Sequence, residues 1–489
     1  MRDAGRGTND VGALRAAVHP AFRVPHPATA ALTALTALLV ATPLAAQTPT
    51  TSDVFRRYAD QVVKVEIAES GAKGKASLGS GFYVDAAGHV VTNYHVISQI
   101  VHHPDRYSAR LVDNRGGSRA AEVLAVDVVH DLAVLRSPQA SSGGSAGAGR
   151  AAFLALAPGA SLSQGEHLFA MGHPHDLGLS IVEGTYNGLL QHTLYPRIHF
   201  TGSLNPGMSG GPTLDAEGRV VGVNVSTAGN QVSFLVPVER VQALLARATA
   251  AGYAPPTNAK GEPAFLGDVA RQIRAYQHTY LGAIFARDSG GSATGGRKPP
   301  TVALGPYTLP TEPAPFFKCW GDADQSADEP YHTVNHTCST DDYLFIAGDH
   351  ASGIVGMEHE LITSDRLNAL RFYALYARRF SGSFVSMGGG DFGFDGPTSW
   401  GSKDEVTKYV CRTRNVRNAS LTLRAAFCVR RYRKLAGLYD AVLKAAVVGA
   451  NRRDGGLVTT LTLSGVSFEN AQRVAERYLE SIAWAPKSK

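Results

Sequence analysis

Long runs of one charge are missing from this chain. Charged residues make up 18% of its 489 positions, and the formal net charge is +6. No Lys/Arg block exceeds short pieces such as Arg430-Arg431-Tyr432-Arg433, which suits a solvated helix face better than a nucleic-acid groove. Nucleic acid is therefore excluded as a partner. Cys-x-x-Cys pairs are missing too. The four cysteines, Cys319, Cys338, Cys411 and Cys428, all lie in the C-terminal half, separated by 18, 72 and 16 residues. That spacing disfavours zinc and leaves three disulfide pairings, of which 319–338 with 411–428 closes the shortest loops. Residues 28–46, ATAALTALTALLVATPLAA, hold no charge, while Arg2, Arg6, Arg15 and Arg23 lie upstream. A basic leader, an apolar run and a small-residue ending describe a secretory signal peptide cleaved after Ala46. A membrane would be a partner only if that segment stayed uncleaved. No twin arginine precedes it, which favours unfolded export to an oxidising periplasmic or extracellular compartment.

Between Val54 and Val238 a long helical period is absent. Short Val-rich segments recur instead: 62–67, 79–85, 89–96, 108–113, 132–137, 167–172, 180–186, 197–202, 219–226 and 232–238, bounded by Gly, Asn, Asp and Pro. Many short strands with turn signals predict an all-β barrel or sandwich. Residues 137–150 read as a Ser/Gly/Ala loop, and 238–250 as the first helix. Beyond it, 263–287 is helical in period and 288–301 is a flexible joint. From 302 onward the pattern is mixed α+β, with helices over 365–380, 430–448 and 469–484. A hairpin there carries Cys411 and Cys428.

Among the short strands sits LNPGMSGGPTL (204–214), with Ser209 between glycines. A serine hydroxyl attacks only if a base takes its proton and an acid holds that base in the right tautomer. His95 in VVTNYHV, at a strand end, and Asp131 in HDLAVLR, just before a strand, supply both in the order His, Asp, Ser. The glycine turn can aim the amides of Gly207 and Ser209 at one point, as an oxyanion hole requires.

GSGFYVD, VVTNYHVI, DLAVLR, AMGHPHDLG, NPGMSGGP and VVGVNVS, in that order, resemble the trypsin-like serine proteases, nearest the bacterial HtrA/Deg branch. The resemblance covers roughly residues 52–245. It implies an all-β double barrel with the site in the cleft, His95 as base, Asp131 as orienting acid and Ser209 as nucleophile. It implies no metal and no organic cofactor, and protein or peptide substrates as partners. His130, beside Asp131, reads as a surface neighbour. Met208 stands where asparagine or aspartate is more usual. The resemblance places Ser203 at the base of the primary pocket and Val223-Asn224-Val225 along its wall, so cleavage after small aliphatic residues is expected. A neutral Ser203 disfavours a preference for Lys or Arg.

The organisation expected is a signal peptide (1–46), a protease domain (47–250), a helix and linker (251–301) and a smaller disulfide-containing α+β domain (302–489). No PDZ-like carboxylate loop is seen in the last, so its role and the oligomeric state stay open. Asp391-Phe392-Gly393 has no kinase context. Glu358-His359-Glu360 lacks the second histidine of a zincin helix. Asn224, Asn335 and Asn418 head glycosylation sequons. The competing function is an inactive protease-fold scaffold whose C-terminal half does the binding.

Overall fold

The computed structural model describes residues 49–485 except 72–73, 138–152, 160, 191–192, 262–263, 283, 285–299, 327, 349 and 382–404. The signal segment, the loop at 138–150, most of the joint at 288–301 and Asp391-Phe392-Gly393 lie outside the described residues.

Alternating β-branched residues build two closed barrels. The first joins β1 (Val62–Glu69), β2 (Lys75–Tyr83), β3 (His89–Thr92), β4 (Tyr107–Val112), β5 (Ser118–Asp127) and β6 (Leu132–Arg136), in the order β1-β2-β3-β6-β5-β4. The second joins β7 (His167–Gly172), β8 (Ser180–Leu189), β9 (Ile198–Phe200), β10 (Pro212–Leu214), β11 (Val220–Gly229) and β12 (Val232–Pro237), in the order β10-β11-β12-β9-β8-β7. Closure removes free strand edges, and inward side chains such as Val65, Ile67 and Val90 are fully buried. This is the expected double barrel.

Two helices contradict the reading of 238–250 as the first. Helix α1 (Thr51–Tyr58) starts with a capping box between Thr50 and Asp53. Helix α2 (Tyr94–His102) takes over directly after β3, so His95 sits in a helical first turn and not at a strand end. Its run of Val and Ile reads as a strand locally, and the tertiary cap described below overrides that preference. Helix α3 (Val238–Ala248) closes the barrels and α4 (Leu266–Leu281) follows.

The remaining chain centres on a seven-stranded antiparallel sheet. Its order is β15 (Phe317–Asp324), β16 (His332–Thr340), β19 (Val355–Thr363), β23 (Gly456–Val466), β22 (Tyr439–Val447), β21 (Thr422–Arg431) and β20 (Val410–Arg417). Strands β17 (Leu344–Ala347) and β18 (His350–Ser352) form a hairpin. Strands β13 (Thr301–Leu304), β14 (Tyr307–Pro310) and β24 (Ala483–Trp484) form a small sheet. Helix α5 (Ala369–Ser381) packs with Ile362, Ala446 and Val458, while α6 (Phe468–Ser481) packs with Leu457, Leu461 and Leu463. Alternate residues of β23 thus serve opposite faces, and the two helices cover them separately.

Residues 430–448, expected to be helical, end β21 and form β22. Their Ala, Leu and Lys favour a helix in isolation, but Ala441, Leu443 and Ala445 alternate into the core between β21 and β23. Cys319 bonds Cys338 and Cys411 bonds Cys428, each pair directly opposed on neighbouring strands. Glu358-His359-Glu360 lies on strand β19, with His359 buried and Glu360 3.2 Å from Arg379. Two sequon asparagines are already engaged. Asn224 is fully buried, and the Asn418 amide donates to the Leu479 and Ile482 carbonyls at 2.8 Å.

One apolar core joins the first barrel to the C-terminal half. Val65, Ile97 and Val129 share it with Phe265, Ile273, Leu344, Ile346 and Leu461. Each such side chain contributes about 1.5–3 kcal/mol on burial. Residues 48–489 accordingly form a single compact unit. Among the described residues, no helix is long and apolar enough to cross a membrane.

Candidate active site

Asp131 organises the first half of the site. It adopts φ 53°, a left-handed conformation that asparagine and aspartate tolerate better than other non-glycine residues. That twist turns both its carbonyl and its carboxylate toward the start of α2. The carbonyl accepts from the Tyr94 amide (3.2 Å) and the Asn93 side chain (2.8 Å). The carboxylate accepts from the His95 amide (2.8 Å) and lies 2.6 Å from His95 Nδ1. An anion therefore sits at the positive end of α2 and fixes the imidazole in the same grip. Burial draws His95 toward a lower pKa, but the Asp131 charge and hydrogen bond outweigh it, and the net direction is upward. Nδ1 then carries the proton, leaving Nε2 free to act as base. His130 is not a surface residue: half-buried, it pairs with Asp127 at 2.8 Å and meets the Tyr195 ring edge-on.

The second half is the turn Asn205-Pro206-Gly207-Met208. The Met208 amide donates to the Asn205 carbonyl at 3.0 Å, and Gly207 has φ 97°. Proline second and a positive-φ glycine third define a type II turn. The Pro206 carbonyl accepts from the His175 amide at 2.8 Å, so the Gly207 N–H points the other way. Among the described residues, neither the Gly207 nor the Ser209 amide donates to another protein group. A Cβ on Gly207 would come within 2.3 Å of the His173 carbonyl, so only glycine fits. Met208 is fully buried in the second barrel, where an apolar side chain suits its surroundings.

Ser209 Oγ donates to the Val225 carbonyl at 3.3 Å, not to His95. The residues behind it are seated: the Ser80 amide donates to the Ser209 carbonyl at 2.8 Å. Gly210, at φ 84°, passes so close that a Cβ there would lie 2.3 Å from the Ser80 carbonyl. A Cβ on Gly210 would also lie 2.9 Å from the Asn93 nitrogen, which sets the turn after Ser209 beside the start of the helix that carries His95.

Ser80 itself was missed in the sequence. It is fully buried on β2, accepts from the His173 amide at 2.9 Å and donates to the Gly207 carbonyl at 2.8 Å. One hydroxyl from the first barrel therefore ties two loops of the second. The signal was the serine caged between Gly79 and Gly81, where close backbone approach is demanded. Ser80→Ala leaves the buried His173 amide and the half-buried Gly207 carbonyl unpaired. A loss of about 1–3 kcal/mol in stability is expected, together with a fall in kcat that proteolysis assays and thermal unfolding would measure.

The pocket residues fare unevenly. Val223 is buried in the barrel core, and Asn224 points inward, donating to the Met171 (3.0 Å) and Met208 (3.2 Å) carbonyls. The two lie on opposite faces of β11, and both side chains are fully buried, Val223 among apolar side chains and Asn224 against backbone carbonyls, so neither is open to a substrate. Val225 offers its carbonyl to Ser209, and Ser203 Oγ donates to Asn230 Oδ1 at 3.0 Å.

Ion pairs tie β1 and β2 of the first barrel to the loop after β7. Lys64 reaches Glu66 (2.9 Å) and Asp176 (2.8 Å), and Lys75 reaches the same two carboxylates. The lysine hydrogen bonds hold Asp176 down at about 2. His173 is depressed to about 4 by burial and then by Lys64, and His102 to about 4, chiefly by burial. Each folded pKa lies below its ordinary value near 6.5, so the unfolded chain binds the extra protons. Stability is thus expected to be intact above about pH 6.5 and to fall progressively toward pH 4, as thermal unfolding across that range would show. Among the described residues, the grouping Cys319, His336 and Cys338 has metal-ligand proximity, but both sulfurs are in a disulfide.

This double barrel is a trypsin-like one, and residues 79–223 match the family described as trypsin-like peptidase domain. Its relatives are of the HtrA kind. Serine protease HTRA2, mitochondrial, of Bos taurus is 33% identical over 40% of this chain and 42% of its own length. Protease Do-like 5, chloroplastic, of Arabidopsis thaliana is 31% identical over 33% of this chain and 54% of its own. A probable periplasmic serine endoprotease DegP-like of Halomonas elongata is 30% identical over 37% of each. The chain thus spans about half or less of these curated relatives. Among solved structures, the serine endoprotease from Yersinia pestis aligns with 42% of this chain and 68% of its own, at 22% identity and a TM-score of 0.34.

Proposed function

We propose that the chain is a serine endopeptidase acting through His95, Asp131 and Ser209. The observation that carries this is the double grip of Asp131 on His95, at Nδ1 and at the amide. Such a grip suits a base that must accept a proton at Nε2 and then return it. Ser209 Oγ swings from Val225, attacks the scissile carbonyl and passes its proton to His95. The Gly207 and Ser209 amides receive the oxyanion. Collapse expels the amine, which takes the proton from His95 and leaves an acyl ester on Ser209. Water, deprotonated by His95, hydrolyses that ester and restores the serine.

Substrates are proteins or peptides, and a neutral Ser203 favours uncharged, small aliphatic residues before the cut. Two disulfides, together with the apolar N-terminal run, support a periplasmic or extracellular site of action. Labelling of the full-length protein by a fluorophosphonate, beside Ser209→Ala and His95→Ala, tests the reading. Labelling of the wild type alone is expected. A wild type that stays unlabelled and cleaves no protein would favour the inactive scaffold.

A further inference from the structure

The β17–β18 hairpin belongs to the C-terminal half, yet it lies against the catalytic residues. Strand alternation sets its faces. Leu344 and Ile346 are buried in the shared core, while Phe345, on the other face of β17, packs at its margin and Tyr343 just before the strand is exposed. There the Phe345 ring meets the His95 imidazole edge-on at 6.1 Å between centroids, and the Tyr94 ring at 6.3 Å. The His95 side chain is 29% exposed, Tyr343 is 38% exposed and Phe345 is half-buried. The Asp131 charge reaches the Tyr343 phenol and helps raise it, after burial.

The hairpin is held at several points. Tyr94 Oη donates to the Ile346 carbonyl at 2.9 Å. Just before it, Asp342 accepts from the Leu194 amide at 3.1 Å and pairs with Arg197, both in the β8–β9 loop. Ser352 Oγ donates to the Gly465 carbonyl at 2.8 Å, which fixes the far end to the sheet. A ledge tied on both sides is pre-organised, as selective contact requires.

We infer that Phe345, flanked by Tyr343, is a specificity-determining residue: an aromatic wall beside His95 that selects peptides carrying a large aliphatic or aromatic side chain just after the scissile bond, on the leaving-amine side. This rests on the proposed triad. A scissile peptide must reach His95, because the imidazole gives its proton to the leaving amine. Any bulky residue beside that bond then passes the Phe345 ring. An apolar side chain gains by covering the ring, whereas glycine leaves it wet and a carboxylate meets the nearby Asp131 charge.

The test uses the full chain and paired peptides that keep a small aliphatic residue before the cut and differ only in the residue just after it, Phe or Leu against Gly or Asp. The readout is the ratio of kcat/KM within each pair, from which any general loss cancels. The wild type is expected to prefer the bulky member, and Phe345→Ala to reduce that ratio about tenfold or more. Phe345→Leu should retain part of it, and Phe345→Trp should shift it toward smaller neighbours. Fluorophosphonate labelling reports whether each variant still holds an assembled site. If Phe345→Ala does not fold, the Leu and Trp ratios decide. An unchanged ratio in labelled variants overturns the hairpin's role and leaves the triad standing. A wild type that neither labels nor cleaves overturns both.

Discussion

Asp131→Asn is expected to lower kcat about 10⁴-fold while leaving the fold in place. An amide matches the carboxylate in shape, so the backbone at φ 53° survives. Its chemistry is wrong on two counts. It can present an N–H to His95 Nδ1, which forces the proton onto Nε2, where Ser209 needs a lone pair. It also takes the anion from the start of α2, worth about 0.3–1 kcal/mol.

The pH dependence follows from the raised pKa of His95. A histidine whose folded pKa exceeds its unfolded one contributes stability that is fully present below the unfolded value, near 6.5. That contribution is lost as pH rises through the folded value. The variant should therefore lose more stability at pH 5 than at pH 9. The acid limb of its residual activity should also move to lower pH, because its imidazole no longer has a carboxylate partner. Rate profiles and melting curves across pH would check both. A small fall in kcat with an unmoved acid limb would assign the base role elsewhere.

The second large effect concerns Arg197 and Asp342. The pair is buried, with side chains 13% and 3% exposed, and it joins the second barrel to the hairpin strand. Arg197 also lies over the Tyr195 and Phe234 rings at 5.2 and 5.5 Å. Removing one partner leaves a lone buried charge, so Arg197→Met should cost about 3–5 kcal/mol. Burial raises Asp342 and Arg197 opposes it. Without the arginine, the carboxyl rises further. A carboxyl raised in the folded state holds its proton there, so the variant's deficit should be small near pH 4 and grow as pH increases. Denaturant unfolding at several pH values measures this. Adding Asp342→Leu should recover most of the loss, since the unpaired charge disappears.

The residues of the proposed chemistry stand out in the sequence more than those that support them do. Ser209, His95 and Asp131 could be read because each sits in a distinctive local string. The helical setting of His95 could not, since α2 is capped by a residue 36 positions away. Ser80 was hidden for the same reason: its partners, Gly207 and His173, lie in another barrel. Residues 439–447 misled because composition predicts a helix where two flanking strands impose extension. The burial of Val223 and Asn224 had no local mark, because both faces of β11 are covered there, one by core side chains and the other by the Met171 and Met208 carbonyls. The β17–β18 hairpin carries no local mark of its position beside His95.

That position bears on how the protein comes into being. Tyr94 and Ile346 are 252 positions apart, yet one seats the other beside the active centre. Contacts that distant form slowly, since a long stretch of chain must be closed before they are rewarded. A chain emerging from its N-terminus completes both barrels well before the hairpin arrives. The aromatic wall proposed beside His95 is thereby the last part of the site to be put in place, after most of the polypeptide is made.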